Sequence, residues 1–378
     1  MLLLKKFILD HPDWEERLAA NPMNVTTGRK TIFGRDLIIF HYGIEADFKD
    51  PVVQECRGII LDEHTFNPVC VPFFKFANYT DSYADKIDWN NAYATEKIDG
   101  SLIKIVRLED RLLVSTNNMI DAHDSRVCDV PNRPVDTFYD LVLLTFNQKF
   151  KRNAASMDDY VDMFRSNMTY MFELVSPYNK VVIRYPEPEI YFIGVRNNET
   201  YQETAYWEHD LRHNFPTPSV FPIQTLEKCL AMVDAMTANE EGFVVMDTAF
   251  RRIKVKSPAY VIMHHIRGEN GLTNKTGVEI LQAKQADDVI AYFPEFTEKL
   301  KKVEAGYLAL LHETEDAFRT LKRLDLPTQK DKALWIKENG KDFQGALFYL
   351  INGKTDSAES FFKKTPIDAL TSMVESRM

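Results

Sequence analysis

The chain has 378 residues, of which 45% are hydrophobic and 12% aromatic, and it carries a formal net charge of -10. That length exceeds what one core usually serves, so two domains are expected, and the apolar content excludes wholesale disorder. The acidity argues against sequence-blind coating of long duplexes but leaves room for a local basic groove.

The N-terminal stretch MLLLKKFILDHPDWEERL opens apolar and turns charged at once, with no small-residue cleavage site, so it reads as an amphipathic helix and not a signal peptide. Short β-like runs follow: TIFGRDLIIFHY, RGIILDE, AYATEKI, SLIKIVRL, RLLVST, TYMFELVSP, KVVIRY, EIYFIGVRN, EGFVVMD and RRIKVKS. Turn signals at Glu109-Asp110, from His64 to Pro68, at Asn197-Asn198 and at Asp247-Thr248 separate them, and helical stretches are expected near 134–150, 156–166 and 225–237. After residue 260 the texture changes. Phe296, Leu300, Val303, Tyr307, Leu311, Phe318 and Leu321 recur at helical spacing, and amphipathic segments follow near 330–350 and 356–375. The pattern predicts an antiparallel α+β domain over 1–260 and an all-helical domain over 261–378. No run reaches the ~18 apolar residues of a membrane span. Cys56, Cys70, Cys128 and Cys229 form no CxxC pair, which points to a reducing, cytosolic setting.

Several stretches carry chemistry. In EKIDGS, residues 96–101, alternation along a strand puts Thr95, Lys97 and Asp99 on one face, and Gly100 allows a turn and close approach of a ligand to the backbone. A lysine becomes nucleophilic when partial burial or nearby cations lower its pKa. On this stretch alone, a solvated lysine in a hairpin is the better reading. RRIKVKS adds cations, because Arg252, Lys254 and Lys256 share a face that opposes Ile253 and Val255. Such a face can grip a polyphosphate, although a lone basic strand is ordinarily just solvated. Glu173 sits inside an apolar, aromatic strand, where a carboxylate needs a partner, and Glu241 precedes Gly242 at the head of another strand. Together they form a plausible divalent-metal pair. Arg57 stands before a glycine and an apolar strand, where its fork suits phosphate, and Lys75 lies among aromatics in PFFKFANY.

The order Arg57, Lys75, Lys97-x-Asp-Gly, Glu173, Glu241-Gly, Lys254-x-Lys256 resembles the covalent nucleotidyltransferase superfamily of ATP-dependent ligases and capping enzymes. Within it, ECRGI, KxDGS, FELVSP and IKVKS look closest to the bacteriophage tRNA-repair type of ATP-dependent RNA ligase. The resemblance implies an antiparallel-sheet, ATP-grasp-like nucleotidyltransferase domain followed by a helical domain that reads RNA. It implies that Lys97 attacks the α-phosphorus of ATP to form a lysyl-AMP and that Glu96 meets the adenine amino group. Asp99 and Gly100 would support and clear the nucleotide, and Arg57 and Lys75 would contact phosphates. Glu173 would meet ribose or metal, and Glu241 metal. Lys254 and Lys256 would hold the α-phosphate and orient the leaving pyrophosphate, with Tyr260 at the phosphate end. QADDVIAYF, 285–293, resembles a segment of the helical domain in such ligases and puts Asp287, beside Asp288, among the metal candidates. The implied cofactors are ATP and Mg²⁺ or Mn²⁺. The implied partners are RNA 5′-phosphate and 3′-hydroxyl ends, tRNA among them, with single-stranded DNA as an alternative substrate. No membrane partner is expected, and the protein is expected to be a cytoplasmic monomer, in host cytoplasm if phage-encoded.

One departure stands out: the family's basic, glycine-containing patch after the nucleophile is replaced by STNNMID, 115–121, without lysine. A DNA ligase or GTP-using capping enzyme is the alternative on the same fold, although the helical C-terminal texture speaks against both. A non-catalytic protein that binds nucleic-acid ends is the third reading. The GKT in NGKTDS, 352–357, lacks the upstream glycine of a phosphate loop, since Phe348 stands there, so a turn is expected. His209 and His213, and the pair His264-His265, have no HExxH or cysteine companions and read as surface or packing residues.

Overall fold

In the computed structural model the chain divides into two compact units, Met1–Ser257 and Pro258–Met378. The structure describes all residues except 44–45, 128–132, 180–181, 238, 262–271, 283–285, 287–288, 291–293 and 356.

The first unit is built on three sheets. Its strands are β1 (Val25–Ile32), β2 (Arg35–Tyr42), β3 (Arg57–Asp62), β4 (Pro68–Cys70), β5 (Ala77–Asn78), β6 (Ala92–Glu96), β7 (Ser101–Leu108) and β8 (Arg111–Thr116). They continue with β9 (Met168–Val175), β10 (Glu189–Asn197), β11 (Glu203–Thr204), β12 (Val220–Phe221), β13 (Gly242–Asp247) and β14 (Arg252–Lys256). One sheet runs β1-β2-β3-β4, a second β11-β10-β9-β7-β8 and a third β12-β6-β13-β14-β5. All pairings between these strands are antiparallel except β14 with β5. The run TIFGRDLIIFHY is two strands. Phe33 and Gly34 take φ of 52° and 74°, and this two-residue loop joins β1 to β2 as a hairpin.

A helix over Leu3–Asp10 opens the chain as its periodicity predicts, burying Leu4 and Ile8. Its first free N–H groups are satisfied by a distant carboxylate: Leu3 and Leu4 donate to the buried Glu55 at 3.0 and 2.8 Å. The expected helix near 134–150 forms over Phe138–Phe150, and the one near 225–237 over Leu226–Asp234, each capped by a threonine, Thr137 and Thr225. The stretch near 156–166 is a 3₁₀ helix, Met157–Met163, capped by Ser156. The largest core packs Phe146, Tyr160, Phe164, Phe172 and Phe192 between the Phe138–Phe150 helix and the second sheet.

Two expectations are corrected here. EKIDGS is not a hairpin, because β6 belongs to the third sheet and β7 to the second, so residues 97–100 carry the chain from one sheet to the other. KVVIRY is not a strand in its described part. Val182 and Ile183 donate their N–H groups to the Asp99 carboxylate at 2.8 and 2.7 Å instead of to a ladder.

Gly100 sits where the crossover meets β9. A Cβ there would lie 2.5 Å from the Leu174 carbonyl oxygen and 2.9 Å from Glu173 Cγ. Gly100→Ala is expected to destabilise the first unit by roughly 1–3 kcal/mol, because backbone must move to admit the methyl group. Urea denaturation of the two proteins checks it, and an unchanged midpoint would show that β9 yields freely.

The described regular elements of the second unit are all helices, the longest over Thr297–Arg323 and further ones over Gln329–Asn339, Gln344–Ile351 and Ile367–Glu375. Val303, Tyr307, Leu310, Leu347, Phe362 and Leu370 form its core. The GKT stretch follows the Gln344–Ile351 helix as a turn, with Gly353 at φ 66°.

Candidate active site

The second and third sheets together line a cavity of about 370 Å³ in the first unit. From the third sheet come Thr95, Glu96, Val244, Met246, Arg252, Lys254 and Lys256, and from the second Leu102, Glu173, Ile193, Gly194 and Thr204. Lys97 enters from the crossover, Arg57 from β3 and Asn117 from just beyond β8. The alternation predicted for RRIKVKS holds. Residues 252, 254 and 256 line the cavity while Ile253 and Val255 are buried on the other side.

Lys97 is placed by backbone pairing. Its N–H donates to the Gly242 carbonyl at 2.9 Å, which extends the β6–β13 ladder by one residue. Its Nζ lies 2.6 Å from Glu241 Oε2, and Lys256 Nζ lies 3.0 Å from Glu241 Oε1. Glu241 is buried and therefore acts from behind the cavity wall, holding two lysines with its two oxygens. Glu173 faces them from β9. Burial raises its carboxyl to about 7, with Lys97 and Arg57 opposing and Glu241 and Asp99 adding to the rise.

The cations crowd one end. Burial first, then Lys75, Arg57, Lys97 and Lys256, lower Lys254 to about 7. Lys75 is also lowered, by burial and then by Arg57. Lys75 stands over the rings of Phe48 and Tyr42 at 4.3 and 5.1 Å, and Lys254 and Arg57 each lie 5.1 Å from the ring centre of Phe76. Half-buried cations that repel one another favour binding of an anion. Arg57 Nη1 is buried without a hydrogen-bond partner, as is Asn117 Oδ1. Arg252 is differently placed, because Glu203 holds its guanidinium at 2.5 Å and also pairs with Arg196.

The other end of the cavity is apolar and aromatic, with Tyr206, Trp207, Pro218, Val244 and Met246 around Thr95. The Tyr206 hydroxyl donates to the Pro218 carbonyl at 3.0 Å, and Thr95 Oγ1 to the Val244 carbonyl at 3.1 Å. Glu96 is exposed at this end and paired through backbone to Ser219 at 2.9 Å.

The sites predicted from sequence thus divide. Lys97, Glu96, Gly100, Arg57, Glu173, Lys254 and Lys256 line the cavity. Glu241 and Lys75 touch or repel these groups without lining it. Asp99 is buried and secures the segment at 182–183. Tyr260 is buried in the second unit, and Asp287 lies outside the described residues. Among the described residues no cluster of three or more His, Cys, Asp or Glu is arranged to hold a metal. His209 accepts from the Leu211 N–H at 3.2 Å, a capping role. Sequence reasoning missed Asn117, Tyr206, Trp207 and Pro218, of which only the Tyr206-Trp207 pair gave a signal.

A family model described as RNA ligase matches residues 55–260, just over half of the chain. The chain belongs to the RNA ligase family. The matched span runs from just before Arg57 to just past Lys256, so the cavity residues named above fall within the RNA ligase match, Tyr42 excepted. A protein of Autographa californica nuclear polyhedrosis virus, named as a bifunctional polynucleotide kinase/RNA ligase, is 30% identical over 286 residues, covering 70% of this chain and 39% of the viral protein. The chain therefore spans well under half the length of that relative. An RNA ligase of Rhodothermus phage RM378 is 24% identical over 346 residues, 76% of each chain. A solved RNA ligase of Naegleria gruberi with ATP and Mn is 16% identical, with a TM-score of 0.34 over 46% of this chain and 52% of that one.

Proposed function

We propose that this protein is an ATP-dependent RNA ligase that joins RNA 5′-phosphate and 3′-hydroxyl ends through a lysyl-AMP. The observation that carries this reading is the convergence of Lys97, Lys254, Lys256, Arg57 and Glu173 on one cavity that is cationic at one end and aromatic at the other. A nucleoside triphosphate has the matching polarity, with its base toward Tyr206 and Trp207 and its phosphates toward the lysines. The curated relatives named as RNA ligases support the choice of RNA over DNA.

Three transfers follow. Lys97 Nζ attacks the α-phosphorus, an N–P bond forms, and the bond to the β-phosphate breaks with pyrophosphate leaving. The ammonium held by Glu241 must first lose a proton, and Glu241 Oε2 at 2.6 Å is positioned to take it. An RNA 5′-phosphate oxygen then displaces Lys97, giving a 5′-5′ pyrophosphate-linked end. A 3′-hydroxyl attacks that end and AMP leaves. Arg57, Lys254 and Lys256 neutralise charge on the transferring phosphoryl group, the largest contribution such a site can make.

The residues present also fit a divalent cation such as Mg²⁺ or Mn²⁺. Glu173, pushed up to about 7 by burial, is a carboxyl in need of countercharge that lines the cavity, and it would hold the ion, with Glu241 joining it only on releasing one of its two lysines. When bound, the ion would offset the phosphate charge as a Lewis acid. The helical unit, with Tyr260 and the Asp287 segment, would serve RNA specificity, with tRNA as one such substrate. A monomer acting in the cytoplasm, including that of an infected host, fits this role.

Incubation with ATP and Mg²⁺, followed by intact mass and peptide mapping, tests the reading. The expected result is a gain of one AMP on Lys97, with none from GTP. A guanylate-only adduct would make the protein a capping-type enzyme, and no adduct from either would leave an end-binding protein.

A further inference from the structure

Lys104 lies on β7 with no exposed surface, and its ammonium donates to the Gly58 carbonyl. Among the described residues no carboxylate pairs with it, and burial lowers it to about 8. A buried cation without a countercharge costs stability, and an apolar residue of the same volume would be favoured there on folding grounds alone. Its surroundings show what it holds. Gly58 takes φ +74°, and a Cβ there would meet the Asn117 carbonyl oxygen at 2.3 Å and Lys104 Nζ at 3.0 Å. Three segments therefore close on Gly58: β3 carrying Arg57, the end of β8 carrying Asn117, and Lys104 beneath them. Arg57 and Asn117 both line the cavity, and each keeps a buried polar atom without a partner, Nη1 and Oδ1.

We propose that Lys104 is a positioning residue for the polyphosphate end of the site, fixing β3 against the Asn117 backbone through the Gly58 carbonyl so that the open Nη1 of Arg57 donates to a phosphate oxygen. This rests on the adenylyl-transfer reading, which supplies the triphosphate. The ladder adds a second argument. Lys104 stands opposite Ser115 on β8, so their side chains share a face, and Ser115 is buried with its hydroxyl on the Ile120 carbonyl at 2.6 Å. From Leu112 to Asp121 the chain carries no lysine or arginine, so β8 gives this face no cation and β7 gives it one.

The test titrates inorganic triphosphate by calorimetry into wild type, Lys104→Met and the exchange Lys104→Ser with Ser115→Lys, with melting curves and ATP adduct rates for each. Lys104→Met is expected to melt at or above wild type, to bind triphosphate about tenfold or more weakly and to form the adduct correspondingly slowly. The exchange, which returns a cation to the same face, is expected to recover binding to within about threefold of wild type. A folded Lys104→Met with wild-type affinity overturns the proposal. So does an exchange protein that folds while binding no better than Lys104→Met, since the lysine would then be structural. Triphosphate binding by wild type without any AMP adduct would sink the adenylylation reading, while the binding arm still decides the role of Lys104.

Discussion

Lys97→Ala is expected to leave a folded protein that takes up no AMP. The side chain is 21% exposed and pairs only with Glu241 among the described ion pairs. Glu241 keeps Lys256 at 3.0 Å after the substitution, so no buried carboxylate is orphaned and stability should change by no more than about 1 kcal/mol. The loss of chemistry should be total, since alanine carries no group that can bond the α-phosphorus. Lys97→Arg separates charge from nucleophilicity. It keeps the cation beside Glu241, yet a guanidinium does not deprotonate in proteins and cannot attack. Both variants should still seal RNA whose 5′ end already carries AMP, because Lys97 serves only the first two transfers. Intact mass after incubation with ATP, and gel assays on adenylylated RNA, read the two halves separately. An adduct surviving in Lys97→Ala would refute the assignment of the nucleophile.

Much of this site was legible because its members sit on short strands, where alternation alone sorts faces. Lys254 and Lys256 could be placed opposite Ile253 and Val255 from spacing, and the structure lines the cavity with the polar side. Glu173 was conspicuous as a carboxylate in an apolar strand, and its raised carboxyl shows why such a residue draws notice. The α+β character of the first unit followed from turn signals between β-branched runs, and the helical texture after residue 260 from three-to-four spacing.

What stayed hidden depends on contacts far apart in sequence. The sheet membership of β6 and β7 cannot be read from EKIDGS, since an Asp-Gly step between two strands suits a hairpin as well as a crossover. Asp99 was expected to support the nucleotide, and its carboxylate takes two N–H groups more than eighty residues away, which removes KVVIRY from the ladder it resembles. Asn117 belongs to the stretch that stood out for lacking lysine, yet it lines the cavity because Gly58 lets β3 pack against its carbonyl. Lys104 reads in sequence as an ordinary polar position in SLIKIVRL, and its burial beneath Gly58 of β3 shows only in the structure.

Lys254→Met should produce two opposite effects, and the opposition is diagnostic. Lys254 is lowered from 10.5 to about 7, by burial first and by the neighbouring cations after it. Below pH 7 the residue is protonated in both folded and unfolded chains, and the full cost of its charge is present. Between pH 7 and 10.5 the unfolded chain binds the extra proton, so stability rises with pH, and above that range the cost is gone. Removing the lysine therefore stabilises the protein most at or below pH 7, and the gain fades towards 10.5. At about 1.4 kcal/mol per unit the gain amounts to a few kcal/mol. Lys104 adds a rise of its own in both proteins, so the difference between them isolates Lys254. Adduct formation should fall by about 10²–10³, the usual cost of losing a donor to developing phosphate charge. Urea midpoints from about pH 6 to about pH 10 and single-turnover adenylylation measure the two. A variant no more stable than wild type at low pH would mean that Lys254 is solvated. One that gained stability and kept its adduct rate would mean that the charge is buried for some purpose other than phosphoryl transfer. The expected pairing, stability gained where catalysis is lost, is what a site that gathers cations to bind a polyanion requires.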